Sequence, residues 1–108
     1  MKKYAIFILI NLICNQTLAK QAPEAYQKFC RNCHASGIAG APTNGDQKEW
    51  DFRLKKYGIK KLIESVKRGK GAMPPGGMCN NCTDQDIKEA IYYMRKNKKI
   101  TIQIKDIF

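Results

Sequence analysis

The sequence is short of acidic residues, of histidine and of long apolar runs. Nine aspartates and glutamates stand against twenty lysines and arginines in 108 residues. A formal charge of +11 points to an acidic partner, to membrane headgroups or to nucleic acid. A single histidine, His34, leaves one imidazole for ligand chemistry. The apolar stretch from Tyr4 to Cys14, interrupted by Asn11, is too short for a bilayer span of about 20 residues. The length leaves room for one domain, and no internal repeat argues for more.

What the apolar stretch does suit is export. Lys2 and Lys3 form a positive n-region before it, and Thr17-Leu18-Ala19 offers small residues after it. The expectation is a signal peptide over 1–19 cleaved after Ala19, a domain over 20–99 and a C-terminal tail over 100–108. Cys14 suggests lipid attachment, but Ile13 is too bulky for a good lipobox, so Cys14 is read as part of the discarded signal. Without Lys2 and Lys3, 18 basic residues face 9 acidic ones, a charge of +9. A periplasmic location argues against nucleic acid as the partner. It also places the four remaining cysteines where thiols are oxidised unless they are used.

Cys30-Arg31-Asn32-Cys33-His34 carries the chemistry. Two cysteines three apart with a histidine next are the attachment pattern for a c-type haem. On one helical turn both thiols face the same way, so each can add to a haem vinyl group. The next residue then carries its imidazole towards the iron. One motif predicts one covalent haem c. A redox dithiol would need a thioredoxin-like βαβ context, and no strand is expected nearby. A zinc-binding interaction module is the other rival, because Cys79 and Cys82 form a second pair. However, 45 residues separate the pairs, against about 15–20 in the usual four-cysteine site.

Four helices are expected. The first spans about Pro23 to Ala35, with Tyr26, Phe29, Cys30 and Cys33 on its apolar face. The second starts at Asp46, with Glu49 as capping-box partner, and stops at Gly58. Trp50 and Arg53 share a face of it. Trp50 suits either the haem edge or the core, and Arg53 either a haem propionate or solvent. The third covers Ile59 to Arg68, with Ile59, Leu62, Ile63 and Val66 at core spacing. The last is capped by Thr83 with Asp86 and carries Ile87, Ala90, Ile91 and Met94 as its stripe. Lys55, Lys56, Lys60, Lys61, Lys67 and Lys70 crowd the second and third helices and the start of the methionine loop.

Two loops complete the pattern. Ser36 to Gly45 is rich in small residues and gives the backbone room beside a flat cofactor. Pro42 lies where its carbonyl could accept the second ring N–H of His34. Gly71 to Met78 holds two prolines and three glycines, a stiff loop that could present a soft thioether to iron. Met73 is the better ligand candidate there and Met78 the runner-up. Cys79 and Cys82 come next, and export favours a disulfide between them. The tail from Ile100 alternates apolar and polar residues, a strand pattern without a partner strand that could serve oligomerisation.

With these pieces placed, the sequence resembles a class I c-type cytochrome of the cytochrome c5 family. The resemblance covers about Ala25 to Lys96. It rests on the haem motif, Ala39-Gly40-Ala41-Pro42, Trp50 with Arg53, and Gly69-Lys70-Gly71-Ala72-Met73-Pro74-Pro75. The Cys79/Cys82 pair before Thr83-Asp84 looks like the extra disulfide of that family. The resemblance implies an all-α, small class I cytochrome c fold of about four helices around one covalently bound haem, with His34 and Met73 as axial ligands. It implies a soluble periplasmic carrier of single electrons rather than an enzyme. Its partners would be acidic redox proteins such as a terminal oxidase or reductase, with membrane association only through them. A haem enzyme or gas sensor with a labile Met73 is the rival within the same fold.

Overall fold

The computed structural model describes residues 21–96. The expected signal peptide and its cleavage point, Cys14, Lys98, Lys99 and the tail lie outside the described residues. Among the described residues there are four helices and no strand.

The first helix, α1, covers residues 24–34. It is π-helical over Tyr26–Cys30 and α-helical over Arg31–His34. The wider π turn holds more backbone per turn and so rotates Arg31–His34 about the helix axis. The expected single apolar face is therefore split. Tyr26 is buried, Phe29 and Cys30 are half-buried, and Cys33 is exposed. Next to Cys33, His34 is buried.

Helix α2 is Gln47–Tyr57. The Asp46 carboxylate accepts the Glu49 N–H at 3.1 Å, as an N-cap should. The reciprocal half of the expected capping box is not made. Glu49 instead accepts from Arg53 Nε at 2.8 Å, one turn along the helix. A charge-assisted bond to guanidinium outcompetes the neutral backbone donor. Gly58, at φ +81°, alone joins α2 to α3, Ile59–Arg68. On α3, Ile63 is buried, and Ile59, Leu62 and Val66 pack around the same core.

Helix α4 is Asp84–Lys96. Its box closes fully: Thr83 N–H donates to Asp86 at 2.9 Å, and Asp86 N–H donates to the Thr83 hydroxyl at 3.1 Å. Ile87, Ala90, Ile91 and Met94 are all buried and form the core with Tyr26, Trp50 and Ile63. α1 meets α4 where the Tyr26 ring lies 4.8 Å from that of Tyr93. An ion pair between Arg95 and Asp51 ties α4 to α2.

The chain between α3 and α4 is backbone-determined. Lys70 and Met73 exchange two main-chain hydrogen bonds, at 3.0 and 2.9 Å. Gly69, at φ +85°, sits so close behind this turn that a Cβ would lie 2.9 Å from the Met73 carbonyl oxygen and 3.0 Å from Pro75 N. Only glycine tolerates both the dihedral and the contact. The turn leads to a short 3₁₀ segment, Pro75–Met78, packed against α3. A disulfide between Cys79 and Cys82 closes it off.

Candidate functional site

One cavity of about 410 Å³ runs between the helices, a volume in the ~300–1,000 Å³ range of ligand and cofactor sites. Its walls come from every part of the fold. α1 supplies Phe29, Cys30, Cys33 and His34; the loop after it supplies Ile38 to Pro42. Trp50 and Arg53 come from α2, Leu62, Ser65 and Val66 from α3, and Ile87, Ala90, Ile91 and Met94 from α4. Lys70, Met73, Pro74, Gly77 and Met78 complete it. All the residues singled out from the sequence for the site thus border one space, Cys79 and Cys82 included.

The donor set fits a covalently attached haem. Cys30 and Cys33 are both free thiols. Burial pushes the Cys30 thiol up from its ordinary range. His34 donates through Nδ1 to the Pro42 carbonyl at 2.7 Å. That bond fixes the ring's tautomer and orientation. Nε2 has no hydrogen-bond partner among the described residues, which leaves its lone pair for a metal.

Met73 and Met78 are not equivalent. Met73 is half-buried, and its backbone is locked to Lys70. Its methyl lies where a Cβ on Gly77 would touch it, at 3.4 Å. Met78 is 68% exposed and holds a left-handed backbone at φ +73°. Ile38, 56% exposed, is a second large apolar side chain that combines cavity lining with solvent exposure. Sequence patterns gave no reason to single out Ile38. It stands between Gly37 and Ala39, both left-handed at φ +79° and +54°.

Trp50 is 5% exposed and belongs to the core as well as to the cavity wall. Its indole Nε1 donates to the Thr43 carbonyl at 3.0 Å. Arg53 reaches the wall while holding Glu49. Asn44 went unnoticed in the sequence because Asn-Gly reads as an exposed turn. It is buried, and its side chain meets the Tyr26 phenol. The zinc alternative finds no support: among the described residues no three His, Cys, Asp or Glu side chains converge. Two of the four thiols it would need are joined to each other.

A charged ridge flanks the site. Lys56 Nζ lies 5.5 Å from the ring centre of Phe52 and 5.1 Å from that of Tyr57. Lys70 Nζ lies 5.6 Å from Tyr57 on a residue that also borders the cavity. A hydrogen bond from Lys56, then its charge, pulls the Tyr57 phenol below its ordinary range. Lys67 differs from its neighbours: it pairs with Asp84 at 2.9 Å and helps to dock α3 on α4.

The chain is similar to known proteins in sequence and in fold. Residues 17–94 match the family model described as cytochrome c oxidase, cbb3-type, subunit III. Cytochrome c5 of Ectopseudomonas mendocina is 36% identical over 77 residues, covering 70% of this chain and 88% of that one. Cytochrome c5 of Azotobacter vinelandii is 36% identical over 74 residues, covering 68% and 89%. A solved mono-haem ferrocytochrome c from Shewanella putrefaciens superposes with a TM-score of 0.62 at 48% identity, over 74% of this chain and 98% of that one. A chain from the electron transfer complex of nitrite reductase with cytochrome c gives 0.60 at 39% identity, over 70% and 93%.

Proposed function

Since the chain belongs to the class I c-type cytochromes, among the relatives of cytochrome c5, we propose that it carries single electrons between redox proteins of the periplasm and catalyses no reaction of its own. It has one covalent haem c, which supplies a one-electron ferric/ferrous couple. Cys30 and Cys33 would hold the group through thioethers, and His34 and Met73 would ligate its iron. The observation that carries this reading is the shared cavity: two free thiols, an imidazole with only Nδ1 committed, and a backbone-locked thioether line one space.

The remaining residues supply the environment. Ile87, Ala90, Ile91, Met94 and Trp50 exclude water from one side of the cavity. A dry, fixed surround keeps reorganisation small when the charge on the iron changes. Pro42 holds the His34 ring through its carbonyl. With His34 and Met73 both ligating, no coordination site would be left for oxygen or peroxide, which favours a carrier over an enzyme or gas sensor. The ridge of Lys56 and Lys70 suits an acidic partner, and the nitrite reductase complex of a similar chain illustrates one class of partner.

Intact mass tests the core of the proposal. Expressed with export and haem-maturation machinery, the denatured protein should weigh one haem more than residues 20–108. An unmodified polypeptide from a competent host would refute it. A spectrum unchanged by carbon monoxide is expected as well; ready binding would favour a labile Met73 and a sensor.

A further inference from the structure

The segment Pro42 to Gly45 is hydrogen-bonded outward at each residue in turn. The Pro42 carbonyl accepts from His34 Nδ1 at 2.7 Å, and the Thr43 carbonyl accepts from Trp50 Nε1 at 3.0 Å. Asn44 N–H donates to the His34 carbonyl at 2.6 Å, and Gly45 N–H donates to the Met94 carbonyl at 2.7 Å. His34 is thus gripped twice, by its ring and by its main chain. The grip itself is anchored at two points, on α2 and on α4.

The two middle bonds share one peptide. The Thr43 carbonyl that accepts from Trp50 belongs to the same amide as the Asn44 N–H that donates to His34. A donor on the oxygen polarises the amide and strengthens its N–H, so the bonds reinforce each other. The site is buried: Trp50 is 5% exposed, His34 7% and Asn44 9%. In such surroundings each bond is stronger than in water, and the Thr43 carbonyl accepts from the Asp46 N–H at 3.1 Å as well as from Trp50, so the indole strengthens a peptide that the start of α2 already holds. The two rings themselves stand 5.8 Å apart and tilted, so the influence of Trp50 on His34 runs through this backbone as well as through packing.

We propose that Trp50 is a positioning residue for the axial histidine, acting through the Thr43–Asn44 peptide on the hydrogen bond between His34 and Pro42. The inference rests on the haem reading above. The strength of a ligating histidine's second hydrogen bond sets the basicity of its metal-bound nitrogen. A well-held Nδ1–H makes His34 the richer donor and favours ferric iron. Removing the indole N–H loosens the segment, weakens that bond and raises the reduction potential.

The test uses the haem-loaded chain in two forms. Trp50→Phe removes the donor and part of the ring. Replacing Trp50 with β-(3-benzothienyl)alanine exchanges only the N–H for sulfur and keeps the volume. In the ferrous protein, NMR should show the His34 Nδ1 proton and the Asn44 amide exchanging about fivefold faster, a factor typical of one net hydrogen bond. Other amides of α4 should keep their rates, and the reduction potential should rise in both forms. Unchanged exchange and potential in the sulfur form would overturn the inference. So would a uniform acceleration of all amides, which would make Trp50 a packing residue only. Absence of the haem mass from the unsubstituted chain would instead refute the function proposed above.

Discussion

At the scale of single residues, the sharpest contrast is between two methionines in one loop. Met73 is half-buried and held by paired backbone bonds to Lys70, whereas Met78 is largely exposed on a left-handed backbone. Met73→Ala should therefore yield a high-spin or ligand-exchanged iron and a lower reduction potential, because a thioether favours ferrous iron. Met78→Ala should leave both unchanged; absorption spectra and potentiometry on the two variants decide. The reverse pattern would move the ligand role to Met78. The haem motif was fully legible as sequence, since residue type and spacing are its whole content. The grip on His34 was half legible. Pro42 could be picked out as a carbonyl in reach, but Thr43 and Asn44 act through main-chain atoms, which side-chain identity does not reveal.

At the scale of elements, legibility tracked how local the signal was. α4 could be read directly: its box lies within four residues, and its stripe of Ile87, Ala90, Ile91 and Met94 has the helical period. α1 had the right extent, but its π turn leaves no mark on hydrophobic spacing. The Glu49 carboxylate had two partners within one turn, and only the folded geometry chooses Arg53. The segment before α4 carries its own covalent constraint. The Cys79–Cys82 disulfide closes a loop of very few residues, worth about 2 kcal/mol in the chain-entropy model. Replacing both cysteines with serine should lower stability by about that amount in denaturant titrations while the haem spectrum stays intact. Loss of haem in this variant would mean that the bridge shapes the cavity wall and does not merely stiffen it.

At the scale of the whole molecule, charge decides. Lys55, Lys56, Lys60, Lys61 and Lys70 make no ion pair among the described residues, and two of them rest against aromatic rings. Such contacts limit the wandering of the ammonium groups, so less freedom is lost when a carboxylate arrives. Electron transfer to an acidic partner should slow about tenfold or more as salt shortens the Debye length from about 10 Å at 0.1 M to about 3 Å at 1 M. Stopped-flow rates should fall further on Lys56→Glu with Lys70→Glu than on Lys88→Glu with Lys96→Glu. Indifference to salt, or a larger effect from the α4 pair, would place docking elsewhere. Lys67 is unsuitable for this comparison, since its reversal would also break the contact with Asp84. The bond from Gly45 to the Met94 carbonyl has a consequence in time. Synthesis runs from the N-terminus, so Cys30, Cys33 and His34 emerge long before Met94 exists. Until the last helix has been made, one end of the grip on the histidine has nothing to hold. The stretch from Cys30 to His34 is therefore at its most accessible while the chain is still incomplete, and the final helix is what completes its enclosure.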